Sequence, residues 1–173
     1  RYNWRSLYRK IDAGKPADTD FSKELLHRID AHPFIPSGNS GELDRRCREI
    51  LEIQVQGLAT RLSHIHCKNA VIGISGGLDS TLALIVTAMA FDKLGLDRKG
   101  ITGVTMPGYG TTGRTRGNAV DLMESLGISS REISIVAACD QHFKDIGHDK
   151  NVHDVTYENS QARERTQLLM DIA

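Results

Sequence analysis

The chain has 173 residues, with 22 Lys and Arg against 22 Asp and Glu, so its formal charge is zero. That balance removes the electrostatic argument for a nucleic acid or an acidic membrane as partner, and the length suits one domain with at most an appended segment. The longest apolar stretch, Leu82 to Phe91, is interrupted by Thr87 and is too short to span a bilayer, and no signal peptide is recognisable. The cysteines, Cys47, Cys67 and Cys139, form no Cys-x-x-Cys pair, which argues against a disulfide framework or a zinc site and for a reducing, cytoplasmic setting.

Residues 1–41 hold three of the four prolines, with Gly14, Gly38 and Gly41, and show little periodicity. They are expected to be a connecting segment. Arg1, Arg5, Arg9 and Lys10 with Tyr2, Trp4 and Tyr8 suit a solvated stretch better than an interaction patch. His32 to Pro36 is expected to be extended, because residues before proline avoid the helical region. The start at Arg1 and an end at Ala173 inside a helical pattern, with no C-cap signal, suggest an internal piece of a longer protein.

A helix is predicted from Ser40 or Gly41 to about His64. Leu43, Cys47, Ile50, Leu51, Val55, Leu58 and Leu62 recur on one stripe, expected to be core packing. From Asn69 onward, strands and helices alternate. Asn69 to Ile74 is a strand candidate, followed by a Ser-Gly-Gly loop and a helix over 78–95. Gly100 to Met106 forms the second strand, and the loop Pro107 to Gly113 leads to a helix over 114–126 that Gly127 ends. Glu132 to Ala138 is the predicted third strand, with a short helix around 139–147 and a last helix from near Thr156. This alternation predicts an α/β fold with right-handed β-α-β units, a parallel sheet and helices on both faces. Ligands in such folds bind beyond the carboxyl ends of the strands. His142, His148 and His153, with Asp145, Asp149 and Asp154 between them, lack the spacing of a metal site and are expected in a solvated polar loop.

The run Ser75-Gly76-Gly77-Leu78-Asp79-Ser80 between strand and helix carries the chemistry. Its glycines let the backbone approach a ligand closely, and the unpaired N–H groups of a helix start attract negative oxygens. It is not a Walker loop, since no Gly-Lys-Ser/Thr ends it and no lysine lies between Asn69 and Phe91. A carboxylate at Asp79 beside phosphates needs a bridging cation, and Mg²⁺ is commonly held by one or two carboxylates plus phosphate oxygens. Ser75 and Ser80 offer further hydroxyl donors to phosphate.

This run resembles the PP-loop of the N-type ATP pyrophosphatases. Three further segments narrow the resemblance: Met106-Pro107-Gly108-Tyr109-Gly110-Thr111-Thr112-Gly113, the run Thr156 to Arg165, and His32 to Pro36 followed by Arg46 to Ile50. Together they are similar to the synthetase domain of glutamine-dependent NAD synthetases over most of the chain from His32. The resemblance implies a Rossmann-like, adenine nucleotide α-hydrolase-like fold, with residues 42–173 its N-terminal part and 1–41 the connection from a preceding domain. It implies amidation of deamido-NAD to NAD through an adenylated intermediate, with ATP split to AMP and pyrophosphate. The ammonia would come from glutamine, through a nitrilase-like glutaminase domain that this chain does not contain. Ser75, Gly76, Gly77, Leu78, Asp79 and Ser80 would hold the phosphates, with Asp79 and Ser80 at the chemistry and Asp79 on Mg²⁺. Met106 would face the adenine through its backbone, and Asn159 and Arg163, four apart on the last helix, would meet deamido-NAD. The family also implies a homo-oligomer. These residues alone are expected to be inactive or weak as an enzyme, and the rival readings are another PP-loop ligase, acting on a different acceptor, and a non-catalytic nucleotide-binding fragment.

Overall fold

The computed structural model describes residues 11, 14, 29, 31–33, 35 and 40–173. The chain divides into two units, Arg1–Ser37 and Gly38–Ala173. Most of the predicted connecting segment, with its aromatic and basic residues, lies outside the described residues. In the first unit, the Ile35 N–H donates to the His32 carbonyl at 3.1 Å, which closes a turn where an extended run is expected, while Phe34 and Pro36 lie outside the described residues. Pro33 takes the second position of that turn, where its fixed φ is favourable.

The second unit begins with α1 (Ser40–His64) and continues β1 (Ala70–Gly73), α2 (Leu78–Leu94), a 3-10 turn (Arg98–Gly100), β2 (Ile101–Thr105), α3 (Gly113–Ser125), β3 (Ser129–Glu132), α4 (Val136–Ile146) and α5 (Val155–Ile172). The three strands form one parallel sheet in the order β1-β2-β3. Alternation along the strands sends side chains to opposite layers. Ala70, Ile72 and Ile101 pack with Leu84, Phe91 and Met123 of α2 and α3. Val71 and Val104 pack with Phe143, Tyr157 and Leu169 of α4 and α5. Helices therefore cover both faces, as the sequence pattern predicts.

Two elements depart from expectation. The stripe on α1 is core only in its second half: Val55, Ala59 and Leu62 are buried, whereas Leu43, Cys47 and Ile50 are exposed. The cause is length. At 1.5 Å per residue, the 25 residues of α1 span about 37 Å, and the 17 residues of α2 that cover it span about 25 Å.

The third strand lies at 129–132, earlier than the apolar run 132–138. Ser129 to Glu132 form an edge strand, mostly exposed, so their polar character conceals them. Pairing continues irregularly, with the Ile133 N–H on the Thr105 carbonyl at 3.0 Å and the Ile135 N–H on the Pro107 carbonyl at 3.1 Å. Ile135, fully buried, then turns to φ −92°, ψ −2° and starts α4, which takes Val136 to Ala138 into the helix.

Candidate functional site

The loops after β1 and β2 meet at the carboxyl edge of the sheet, and α5 closes the space between them. The resulting cleft of about 640 Å³ is lined by Ser75 and Gly77 from the first loop, Met106 and Thr111 from the second, and Gln161 and Arg165 from α5, among others. A cleft of this volume accommodates a nucleotide-sized ligand.

The first loop is shaped by its own hydroxyls. Ser75 Oγ lies 3.1 Å from Ser80 Oγ and accepts the Gly77 N–H at 3.3 Å, while Ser80 Oγ donates to the Gly77 carbonyl at 3.0 Å. Gly76 has φ +81°, and a Cβ there would stand 2.1 Å from the carbonyl oxygen of Thr115 in α3, so only glycine fits. Gly77 caps α2 with no side-chain hydrogen bond to the helix start. The first turn of α2 thus keeps free N–H donors, the arrangement that binds oxyanions. Asp79 sits in that turn, exposed to solvent. Among the described residues no trio of His, Cys, Asp or Glu could hold a metal by itself. A cation here would rest on one carboxylate and on ligand oxygens, which suits Mg²⁺ and does not suit zinc.

The second loop is held from the side by α5. Arg165 Nε donates to the Met106 carbonyl at 3.2 Å, and the Tyr109 N–H donates to Gln161 Oε1 at 3.2 Å. A Cβ on Gly108 would stand 2.6 Å from Gln161 Oε1 and 2.8 Å from an Arg165 nitrogen, so glycine permits this close approach. The Tyr109 hydroxyl donates to Asp140 Oδ1 at 2.5 Å, and its ring sits 5.7 Å from that of Tyr157. The carboxylate of Asp140 favours the protonated phenol, pushing the Tyr109 pKa up to about 12. The reciprocal effect holds Asp140 below the usual carboxylate value, first through the Tyr109 hydroxyl and further through Lys150. Burial raises the Cys139 thiol, which suits packing and not nucleophilic work.

The structure brings Ser75, Gly76, Gly77, Leu78, Asp79, Ser80 and Met106 to one edge of the sheet, with Leu78 itself 89% exposed. It does not bring Asn159 and Arg163 there. Helical periodicity sends Tyr157, Gln161, Arg165 and Leu169 to the cleft, and Asn159 and Arg163 to an exposed face on the far side of α5. Arg163 lines a separate depression of about 190 Å³ with Cys139, His142 and Glu164. Gln161 and Arg165 belong to the same polar run but were not singled out by sequence. Their signal was the spacing with the apolar Tyr157 and Leu169, which marks the inward face.

His142 and His153 are exposed as expected, although His142 lies on α4 and not in a loop, and His148 is half-buried. His148 Nε2 lies 3.0 Å from Asp154 Oδ1 and its ring 5.3 Å from Phe143, while the His153 ring stacks on Tyr157 at 4.4 Å. The aromatic pair Phe143 and Tyr157 gives His148 and His153 their ring contacts, a tertiary effect that local composition does not reveal.

A parallel sheet with a loop of free N–H donors after one strand and a second loop across the cleft after its neighbour has the architecture of the nucleotide-binding type of α/β domain. The NAD synthase family pattern matches residues 50–173, and the chain belongs to that family. It is 42% identical over 153 residues to the glutamine-dependent NAD(+) synthetase of Mycobacterium leprae, covering 86% of this chain and 22% of that protein. It is 40% identical over 171 residues to the protein of the same name from Mycobacterium tuberculosis, covering 96% and 25%. The chain therefore spans about a quarter of the length of these relatives. Among solved structures, the glutamine-dependent NAD+ synthetase of Acinetobacter baumannii in complex with ADP has a TM-score of 0.65 at 24% identity, over 72% of this chain and 23% of that one. The NMN synthetase of Francisella tularensis has a TM-score of 0.60 at 28% identity, over 73% and 49%. No helix among the described residues is long and apolar enough to cross a membrane.

Proposed function

We propose that the cleft is the ATP site of a glutamine-dependent NAD synthetase. The observation that carries this reading is the pairing of an uncapped helix start at Gly77 with a second strand-end loop across one cleft. The triphosphate lies on Ser75 to Ser80, where the first-turn N–H groups take its oxygens and the two hydroxyls can donate to them on turning away from each other and from the Gly77 carbonyl. Adenine lies at the other end, against the Met106 backbone. Asp79 would hold Mg²⁺, which would neutralise charge on the phosphates when bound.

The reaction is the amidation of deamido-NAD. A nicotinate carboxylate oxygen attacks the α-phosphorus, pyrophosphate leaves, and an acyl-adenylate forms. Ammonia then adds to the acyl carbon, loses a proton and displaces AMP, giving the amide of NAD. The protein has little covalent work to do here, so positioning and fixed dipoles suffice. Ammonia would be supplied from glutamine by a nitrilase-like domain, in keeping with the names of the mycobacterial relatives. Asn159 and Arg163 would bind deamido-NAD. Their exposed face on α5 suits a substrate held between two copies of the protein, in keeping with a homo-oligomer. A cytoplasmic setting follows from the substrates and the free cysteines.

The test is ATP–pyrophosphate exchange in the full-length protein. Exchange that depends on deamido-NAD supports the reading. Nucleotide binding with no exchange on deamido-NAD would refute the assigned reaction.

A further inference from the structure

We propose that Arg165 and Gln161 are positioning residues that set the nucleobase selectivity of the cleft. The inference rests on the ATP reading above and deepens it. The Met106–Tyr109 segment forms one end of the cleft, and nearly every backbone polar group in it is committed. The Met106 carbonyl accepts from Arg165 Nε, and the Tyr109 N–H donates to Gln161 Oε1. The Pro107 carbonyl accepts from Ile135, while the Gly108 N–H and carbonyl are taken by the Thr111 hydroxyl at 3.0 Å and the Thr111 N–H at 3.3 Å.

Apart from the Tyr109 carbonyl, the positions left for a ligand lie on Met106. The Met106 N–H has no protein acceptor among the described residues. The Met106 carbonyl has a second lone pair beside the one Arg165 occupies. A donor and an acceptor side by side match adenine, which offers an acceptor ring nitrogen next to its amino donor. On the edge carrying N1, guanine presents an O6 acceptor where adenine has that amino group and an N1–H donor where adenine has its acceptor nitrogen, so both contacts would be mismatched. A mismatched polar edge leaves buried groups unpaired, which makes such sites discriminating.

The selectivity then depends on the Met106 peptide keeping its orientation. Arg165 fixes it with a charge-assisted bond from a helix 59 residues away in sequence. Gln161 fixes the far side of the same segment. It is only 4% exposed, and its Nε2 lies 3.5 Å from the Tyr157 carbonyl, so the amide is boxed in. Gly108, with no room for a Cβ against either side chain, cannot move toward α5. Both residues act through the backbone, and neither needs to touch the base.

The experiment measures ATP and GTP affinity by calorimetry, with Mg²⁺, on the full-length wild type, Arg165→Met, Arg165→Lys and Gln161→Leu, with melting temperatures alongside. The wild type is expected to prefer ATP by about a hundredfold or more. Arg165→Met and Gln161→Leu should each narrow the ATP-to-GTP ratio about tenfold, mainly through weaker ATP binding. Arg165→Lys keeps a cation and a donor, so it should recover part of the ratio, and it guards against an Arg165→Met that fails to fold. A purely structural role would lower the melting temperature while leaving the ratio intact. Folded Arg165→Lys and Gln161→Leu proteins with the full wild-type ratio would overturn the inference alone. A wild type that binds neither nucleotide would overturn the ATP reading and this inference with it.

Discussion

Replacing Gly76 by alanine tests whether the phosphate loop is packed as tightly as its geometry implies. The residue has φ +81°, where an L side chain is strained by roughly 1–2 kcal/mol. The added Cβ would stand 2.1 Å from the Thr115 carbonyl oxygen and 2.9 Å from its carbon. Thr115 lies in the first turn of α3, so its backbone cannot retreat without moving the helix. Overpacking of this kind costs roughly 1–3 kcal/mol. The sum, about 2–5 kcal/mol, corresponds to a melting-temperature fall of roughly 4–20 °C for a chain of this size. Gly77→Ala is the internal control, because Gly77 has φ −89° and its Cβ would meet only Ser75 Oγ at 3.4 Å. That variant should lose less than about 1 kcal/mol, the cost of a poorer N-cap. Urea denaturation and thermal melts of both proteins decide the matter. Equal stability of the two variants would refute the claim that α3 abuts the loop.

Three further outcomes follow from particular contacts. Asp79→Asn should leave thermal stability unchanged and reduce deamido-NAD-dependent exchange on the order of 10²–10³-fold, read by isotope exchange; normal exchange would remove Asp79 from the metal site. Asp154 caps α5, and the Tyr157 N–H first, then His148, hold its carboxyl below the ordinary value. Its stabilisation is present above the unfolded pKa of about 3.9 and is lost as pH falls through the lowered folded value. Asp154→Asn keeps a capping oxygen but not the charge, so its urea midpoint should lie below wild type near neutrality and converge with it in acid, where the wild type loses its ionised cap. One of the four tyrosines should ionise late, because Asp140 pushes Tyr109 up to about 12. The stability this raised pKa contributes is complete below about pH 10 and is lost as pH rises through the folded value. An ultraviolet titration should lose its late phase in Tyr109→Phe.

The local signals that sequence carries best are those in which one residue type answers one backbone demand. Gly95 and Gly127 end α2 and α3 at φ +66° and +69°, where glycine is favoured over residues bearing a Cβ. The strand–Ser-Gly-Gly–helix order places the phosphate loop without any tertiary knowledge. The strand at 129–132 was hidden because an edge strand needs no apolar residues on its open face. Leu43, Cys47 and Ile50 satisfy the same periodicity as Val55 and Leu62, yet they lie where α2 no longer reaches.

The sequence by itself determined the fold class and the family, and it located the loop proposed to receive the phosphates, because alternation, chain punctuation and short-range spacing are properties of neighbours along the chain. Only the tertiary structure decided which face of α5 looks into the cleft. Gln161 and Arg165 reach Tyr109 and Met106 across 52 and 59 residues. Whether Asn159 and Arg163 or these two look inward depends on how α5 is rotated against Val71 and Val104, and that rotation is set by the packing of Phe143, Tyr157 and Leu169. A polar run on a helix carries no mark of its own orientation until a core fixes it.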